Sequence, residues 1–303
     1  MSHSNYLAER LAEYAYRLCY EDLPAEVVHE VKRRFIDSFA TAVGAWSADA
    51  PQIARRCALR VRGVPPATLL GGGKSSVEWA TFVNGLLVRY LDFNDTYLSL
   101  EPAHPSDNLS AIWAVGELAG ASGRDLITAT VLAYEVQCRL CDAASLRRHG
   151  FDHVVYGAIS SCLAACKLLG LDPRRTVHAL GIAGVSNIAL RQTRAGELSM
   201  WKGAAFANAA RNGVFAALLA AEGMTGPAPI FEGELGFMKL ITGPFTLPPL
   251  AGEPATAGAD DFMLRRTYIK FWPAEYHAQS AIDAAMQLRS QIPHPDDIER
   301  IDI

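Results

Sequence analysis

Acid, base and hydroxyl side chains crowd one short stretch of the chain. Asp92 and Thr96 follow Arg89 at the end of a predicted helix, and His104 comes just before the next predicted helix. Acidic side chains at a helix C-terminus oppose the helix dipole, so their cost suggests a purpose other than stability. Helix capping by the polar residues of this stretch is the alternative. A Mg²⁺ or Ca²⁺ site built on Asp92 and Asp95 would lack enough ligands.

Three further segments carry ionisable groups. His153 opens a predicted helix, whose N-terminal partial charges favour the neutral, base-like imidazole; a surface histidine is equally compatible with the sequence. Arg191 and Arg194 precede Lys202, so three cations surround the loop that enters the most apolar helix, and a solvated loop is the alternative. Residues 275–277 place an acid, a phenol and an imidazole just past a predicted domain boundary, and clefts between domains are preferred sites.

A succession of helices must position these groups. Apolar residues recur at helical spacing, and Pro, Ser and Asp mark helix starts. Residues 28, 31, 35, 39 and 43 are expected to line one face of a long helix, and Ala67 begins a short strand before a glycine turn. The predicted helices are 7–18, about 24–43, 49–61, 76–90, 106–121, 125–144, 154–169, 173–183 and 202–222.

The character of the sequence changes after Gly223, where Pro and Gly become frequent and the helical period is lost. An extended piece at 267–272, a helix at about 277–290 and a terminal strand at 299–303 are expected to follow. The fold class predicted from these patterns is mainly α. An all-helical domain would span residues 1–260, and residues 261–303 would begin a smaller α+β lid.

Composition excludes several classes of protein. The 303 residues are 50% hydrophobic, enough to bury a core, and the net charge of −4 shows no basic excess for nucleic acid or a membrane surface. The N-terminus has no signal pattern, so we expect a cytoplasmic protein. The six cysteines lie in helical segments and are expected to be buried thiols, with no metal. The Gly71–Gly73 turn is not a P-loop, because Thr68 stands where the first glycine is required.

Several motifs together resemble the MmgE/PrpD family across essentially the whole chain. They are residues 84–96 (NGLLVRYLDFNDT), 104–108 (HPSDN), 150–153 (GFDH), 190–194 (LRQTR), the helix of Lys202, and 273–279 (PAEYHAQ). The resemblance implies a large helical domain, a smaller α+β lid and a carboxylate-binding cleft between them. It also implies a homodimer and metal-free, cofactor-free chemistry on di- and tricarboxylates. Because the family's members are longer, we expect this chain to be a fragment that ends inside the lid.

The resemblance also suggests roles for individual residues. Asp92, Thr96, His104 and Lys202 correspond to active-site positions of the family's decarboxylase branch. That branch has a lid histidine where this chain has Gln279, whereas residues 273–277 match the dehydratase-like branch. The difference favours dehydration.

The resulting hypothesis is dehydration of 2-methylcitrate, or a related tricarboxylate, to 2-methylaconitate. His104 and Lys202 would be the main proton-transfer pair, oriented by Asp92. The further acid/base candidates are His277 and His153, and the candidate substrate-binding residues are Arg89, Thr96, Arg191, Arg194 and Gln279. Acid and base roles stay open at this point. The alternatives are a cis-aconitate decarboxylase or an iminodisuccinate epimerase on the same fold, or an inactive fragment or non-catalytic helical scaffold.

Overall fold

Ten helices and one two-stranded sheet make up the part of the chain that is described, in a computed structural model that covers residues 6–253, 262–292 and 294–301. The mainly α fold predicted from the sequence is confirmed. The helices are α1 (Leu7–Arg17), α2 (Ala25–Gly44), α3 (Asp49–Ala58), α4 (Val77–Arg89), α5 (Leu109–Ala119), α6 (Gly123–Ala143), α7 (Val154–Leu168), α8 (Pro173–Ser186), α9 (Trp201–Ala221) and α10 (Gln279–Leu288). Strands β1 (Ala67–Thr68) and β2 (Lys74–Ser75) pair antiparallel.

Side-chain caps begin several of these helices where the sequence predicts them. The Ser76 hydroxyl accepts a hydrogen bond from the Trp79 amide at the start of α4. Asp172 accepts from the Arg175 amide at the start of α8, with Pro173 in the first turn, where no amide donor is missed. These contacts satisfy amides that the first turn of a helix leaves unpaired.

Helix α9 lies at the centre of the fold, packed against α4, α7 and α8. Small residues allow the helix backbones to approach closely: a Cβ on Gly213 would lie 2.6 Å from the Ala158 carbonyl oxygen of α7. By length and composition α9 could cross a membrane, but 61% of its apolar window is buried inside the fold. The packing places the end of α4 and the start of α7, the two ends that carry the polar residues, against the same central helix.

The apolar stripe of α2 does not face the core along its whole length. Val31 is fully buried, but Val43 is 76% exposed, so the predicted apolar face is buried along only part of its length. The stripe advances mostly by four residues, or 400°, and therefore turns about 40° around the helix at each step. Its last members consequently face away from the core, and the face that stays buried is polar there, with Ser38 and Thr41.

The segment after residue 262 returns to the helical body as the predicted extended piece. Tyr268 and Thr96 exchange two backbone hydrogen bonds, of 2.8 and 2.9 Å. The Arg34 guanidinium of α2 donates to the carbonyl and the hydroxyl of Thr267. The buried carboxylate of Glu135 accepts from the Met263 amide. These contacts fix the course of the chain just before Lys270.

The C-terminal predictions have mixed outcomes. The helix expected at 277–290 is present as α10, but residues 299–301 form no strand, so that prediction is wrong for them. Residues 302 and 303 lie outside the described residues. So does the predicted boundary between residues 260 and 261, and the division into two domains stays a prediction.

Candidate active site

Asp92 forms the centre of a buried cluster of charges at the end of α4. Its carboxylate lies 2.9 Å from Arg89 Nη1, one turn back along the chain, and 2.8 Å from Lys270 Nζ. Burial alone would favour the neutral acid, but the surrounding cations, Arg89 first, hold the pKa of Asp92 well below its usual range. Asp92 is therefore an anion held between two cations.

The backbone of Asp92 is held in an unusual conformation. Its φ of 58° makes it the one non-glycine residue with positive φ among those described, at a cost of about 1 kcal/mol. The ammonium of Lys270 offsets that cost, because it donates to both the main-chain carbonyl (2.5 Å) and the carboxylate (2.8 Å) of Asp92. The strained turn directs the carboxylate toward Arg89 and His104 instead of into solvent.

His104 is held as one tautomer. Its Nδ1 lies 2.7 Å from the carbonyl oxygen of Asp95, and a carbonyl can only accept, so Nδ1 carries the proton. Burial first, and then the Arg89 guanidinium, lower the pKa of His104 well below its usual range. The Nε2 of the neutral ring lies 3.9 Å from Asp92 Oδ1, beyond hydrogen-bond distance. It therefore presents a free lone pair, as a general base requires.

A second imidazole lies beside the first. The rings of His104 and His153 are 5.9 Å apart, centroid to centroid. His153 is buried at the start of α7, and its Nδ1 lies 3.0 Å from Asp152 Oδ1. The Asp152 carboxylate in turn lies 2.8 Å from Arg194 Nε. Burial and the Arg194 guanidinium lower the pKa of His153, so this ring is also neutral, as its helix position predicts.

Buried polar residues support the cluster from behind. The Asp95 carboxylate accepts from both the amide and the hydroxyl of Ser106 and from the Tyr134 hydroxyl. These bonds occupy both oxygens of the Asp95 carboxylate, so Asp95 is not available to share a cation site with Asp92. Asp107 accepts from Asn94 and lies 3.7 Å from Arg89 Nε. Burial, opposed by Arg89, raises the pKa of Asp107 to about 7.

The structure thus brings together five of the candidate residues that the sequence singled out: Arg89, Asp92, Thr96, His104 and His153. Thr96 is buried and joins the cluster through its backbone, which pairs with Tyr268 two residues before Lys270. Its hydroxyl reaches the Ala103 carbonyl at 3.4 Å, next to His104.

Arg194 and Lys202 form no described contact with Asp92 or His104. Arg194, a candidate carboxylate clamp, binds Asp152 instead. Lys202 lies half-buried in the first turn of α9, and its neighbour Gly203 packs on Tyr90, the residue after Arg89. Within the described part of the chain its ammonium has no hydrogen-bond or ion-pair partner.

The remaining candidates lie in surface segments. The backbone amide of Arg191 donates a hydrogen bond to the Gly150 carbonyl, and the residue is half-buried. The His277 side chain is 86% exposed and pairs with Glu275 within its own turn. Gln279 is used within the same segment, since its side chain accepts from the amide and donates to the carbonyl of Trp272. As described, neither His277 nor Gln279 contacts the Asp92 cluster.

Two residues of the centre were missed by reasoning from the sequence. Lys270 lies 178 positions from Asp92 along the chain, and the available signal was a lone lysine inside an apolar extended segment. Asp152 stands beside His153 in the GFDH motif, where a carboxylate next to an imidazole is a recognisable positioning pair.

The family model for the MmgE/PrpD N-terminal domain matches residues 9–249, a range that contains all of this centre except Lys270. The chain belongs to the MmgE/PrpD family. It is 33% identical over 235 residues to a 2-methylcitrate dehydratase of Cupriavidus necator and 32% over 237 residues to that of Escherichia coli K12, each covering 70% of this chain. An alkylcitrate dehydratase of a fungal species is 32% identical over 236 residues, or 72% of the chain.

The chain spans about half the length of the curated relatives it matches. The aligned parts cover 46% of the Cupriavidus and Escherichia proteins and 45% of the fungal one. The range of the family model, residues 9–249, carries Arg89, Asp92, His104 and His153.

Proposed function

We propose that the protein dehydrates 2-methylcitrate, or a closely related alkylcitrate, to the corresponding aconitate by acid/base catalysis without a metal. One observation carries the proposal: a neutral imidazole, His104, with its Nε2 lone pair free, stands beside the Arg89 and Lys270 cations. The names of the relatives, which are dehydratases of 2-methylcitrate or an alkylcitrate, support the substrate class.

The reaction needs a base, a binding place for negative charge and an acid. His104 Nε2 takes the proton from the carbon beside one carboxylate, and the C–H electron pair moves into that carboxylate as enolate-like charge. Arg89 and Lys270 stabilise this charge, because both are cations buried from water. The pair then forms the double bond as the C–O bond breaks, and the hydroxyl leaves as water with a proton from an acid.

Lys202 is our proposal for that acid. Its ammonium forms no ion pair with a carboxylate of the described residues. Lys270, in contrast, donates two hydrogen bonds to Asp92. Asp92 then serves as the anion that keeps Arg89 and Lys270 in place and stabilises the protonated His104, whose Nε2 would face its carboxylate.

The test is turnover of 2-methylcitrate by the full protein and by His104→Ala and Lys202→Ala. Each variant should lose roughly 100-fold or more in kcat, the contribution of a positioned acid or base. The matched controls are His149→Ala and Lys239→Ala, both at exposed positions, which should keep wild-type turnover. Near-wild-type turnover in both active-site variants would contradict the assignment.

A substrate panel separates the remaining functions on this fold. Dehydration of 2-methylcitrate but no loss of CO₂ from cis-aconitate and no epimerisation of iminodisuccinate is the expected pattern. A protein that binds none of these acids by calorimetry would instead be a non-catalytic scaffold. The homodimer and the cytoplasmic location stay predictions, and light scattering tests the first.

A further inference from the structure

The Arg194–Asp152–His153 chain of contacts continues the site away from Asp92. Asp152 is fully buried, and its Oδ1 lies 3.0 Å from both His153 Nδ1 and Arg194 Nε, which also lies 2.8 Å from Oδ2. The two segments that carry these residues are joined by their backbones: the Asp152 amide donates to the Ala189 carbonyl, and the Arg191 amide to the Gly150 carbonyl. The backbone hydrogen bonds between the two segments therefore hold the three side chains in this geometry.

The arrangement determines where His153 carries its proton. A carboxylate only accepts, so the neutral ring donates from Nδ1 to Asp152. The Nε2 atom is consequently a lone-pair acceptor, and it is buried without a hydrogen-bond partner among the described residues. An acceptor left in this state beside His104 needs a donor from outside the protein.

The chemistry of a hydroxy-tricarboxylate supplies one such donor. At neutral pH its three carboxylates accept hydrogen bonds and cannot donate, so its hydroxyl is the single group that can donate to a neutral Nε2. We propose that Asp152 and Arg194 are positioning residues that keep His153 in the Nδ1–H tautomer, so that its Nε2 accepts the substrate hydroxyl. The hydroxyl part rests on the proposed function; the tautomer part does not.

The Asp152→Ala variant distinguishes this role from a merely structural one. Asp152→Ala removes the acceptor that His153 Nδ1 and Arg194 Nε share, and leaves only the guanidinium, which is always a donor, beside Nδ1. The ring should then carry its proton on Nε2. In the conservative variant Asp152→Asn the amide oxygen can take the place of Oδ1, and the original tautomer should be kept.

Nitrogen-15 NMR of the histidine side chains in the full protein reads these tautomers without any turnover. Wild-type His153 and His153 in Asp152→Asn should show protonated Nδ1, and Asp152→Ala should switch the ring to protonated Nε2. His104 and His178 are internal controls, because their Nδ1 atoms face the backbone carbonyls of Asp95 and Gly226, and they also report whether each variant folds. A wild-type His153 protonated on Nε2, or a tautomer that does not respond to Asp152→Ala, would overturn the proposal.

Calorimetry with citrate and tricarballylate, which differ by the hydroxyl alone, tests the recognition step. In a His104→Gln background that cannot turn citrate over, citrate should bind at least about tenfold more tightly than tricarballylate, and adding Asp152→Ala should abolish that preference. Equal binding of both acids before the second substitution would overturn the hydroxyl part. If neither acid binds while the tautomers behave as expected, the proposed function fails and the positioning role of Asp152 stands.

Discussion

Asp107 offers a quantitative test of the charge balance behind the site. Its carboxyl is fully buried between Asn94 and Arg89, and its pKa is raised to about 7 from an ordinary 3.8. The folded state therefore holds the proton more tightly than the unfolded state, so stability falls as the pH rises from about 4 to about 7. At 1.36 kcal/mol per pH unit, full ionisation costs about 4 kcal/mol, of which about 3 kcal/mol develops between pH 5 and pH 8.

Replacing Asp107 by Asn removes this titration but keeps the size of the side chain and an acceptor for Asn94. Urea unfolding of wild type and Asp107→Asn at pH 5 and pH 8 should show the variant gaining about 3 kcal/mol relative to wild type at the higher pH. Any constant cost of the amide cancels in this comparison. Asp152→Asn is the matched control, because the pKa of Asp152 lies well below its usual range and its effect should not change between pH 5 and pH 8. Parallel pH profiles for wild type and Asp107→Asn would refute the reasoning.

Three further predictions concern the scaffold and its contact with the site. Lys270→Met removes both bonds to Asp92 and leaves that carboxylate with Arg89 alone; it should lower the free energy of unfolding by about 3 kcal/mol, and a loss within the error of urea titrations would contradict the contact. Ser76→Ala should lower the free energy of unfolding by about 1 kcal/mol through the lost N-cap of α4. Ser186→Ala, at the C-terminal end of α8, should lower it by less. Gln279→Ala should leave the unfolding of the helical body unchanged, because its bonds stay within residues 272–279; a fall in the main transition would show a wider role.

Local sequence patterns predict the helices well, because apolar period and caps act within one or two turns. They fail for α2, where the stripe that ends at Val43 keeps its period yet turns away from the core. Which apolar face meets solvent depends on neighbours from other parts of the chain, and a single-helix pattern contains no information about them.

The candidate site likewise contains features that the sequence predicts and features that depend on the fold. Asp92 was predicted to orient His104, and the structure brings the two side chains to 3.9 Å. The partner of Asp92 could not be predicted, since Lys270 reaches it only through the Thr96–Tyr268 pairing. Nor could the tautomer of His104, because it depends on a main-chain carbonyl whose direction follows from the fold.

The most direct test of the proposed mechanism is the rate at which the full protein converts 2-methylcitrate to 2-methylaconitate in buffer with a metal chelator, compared with its His104→Gln variant. We predict that chelation leaves wild-type turnover unchanged and that the variant, folded by circular dichroism, turns over at least about 100-fold more slowly. Near-wild-type turnover in His104→Gln, or a wild type that is inactive after chelation and recovers on adding a metal, would contradict it.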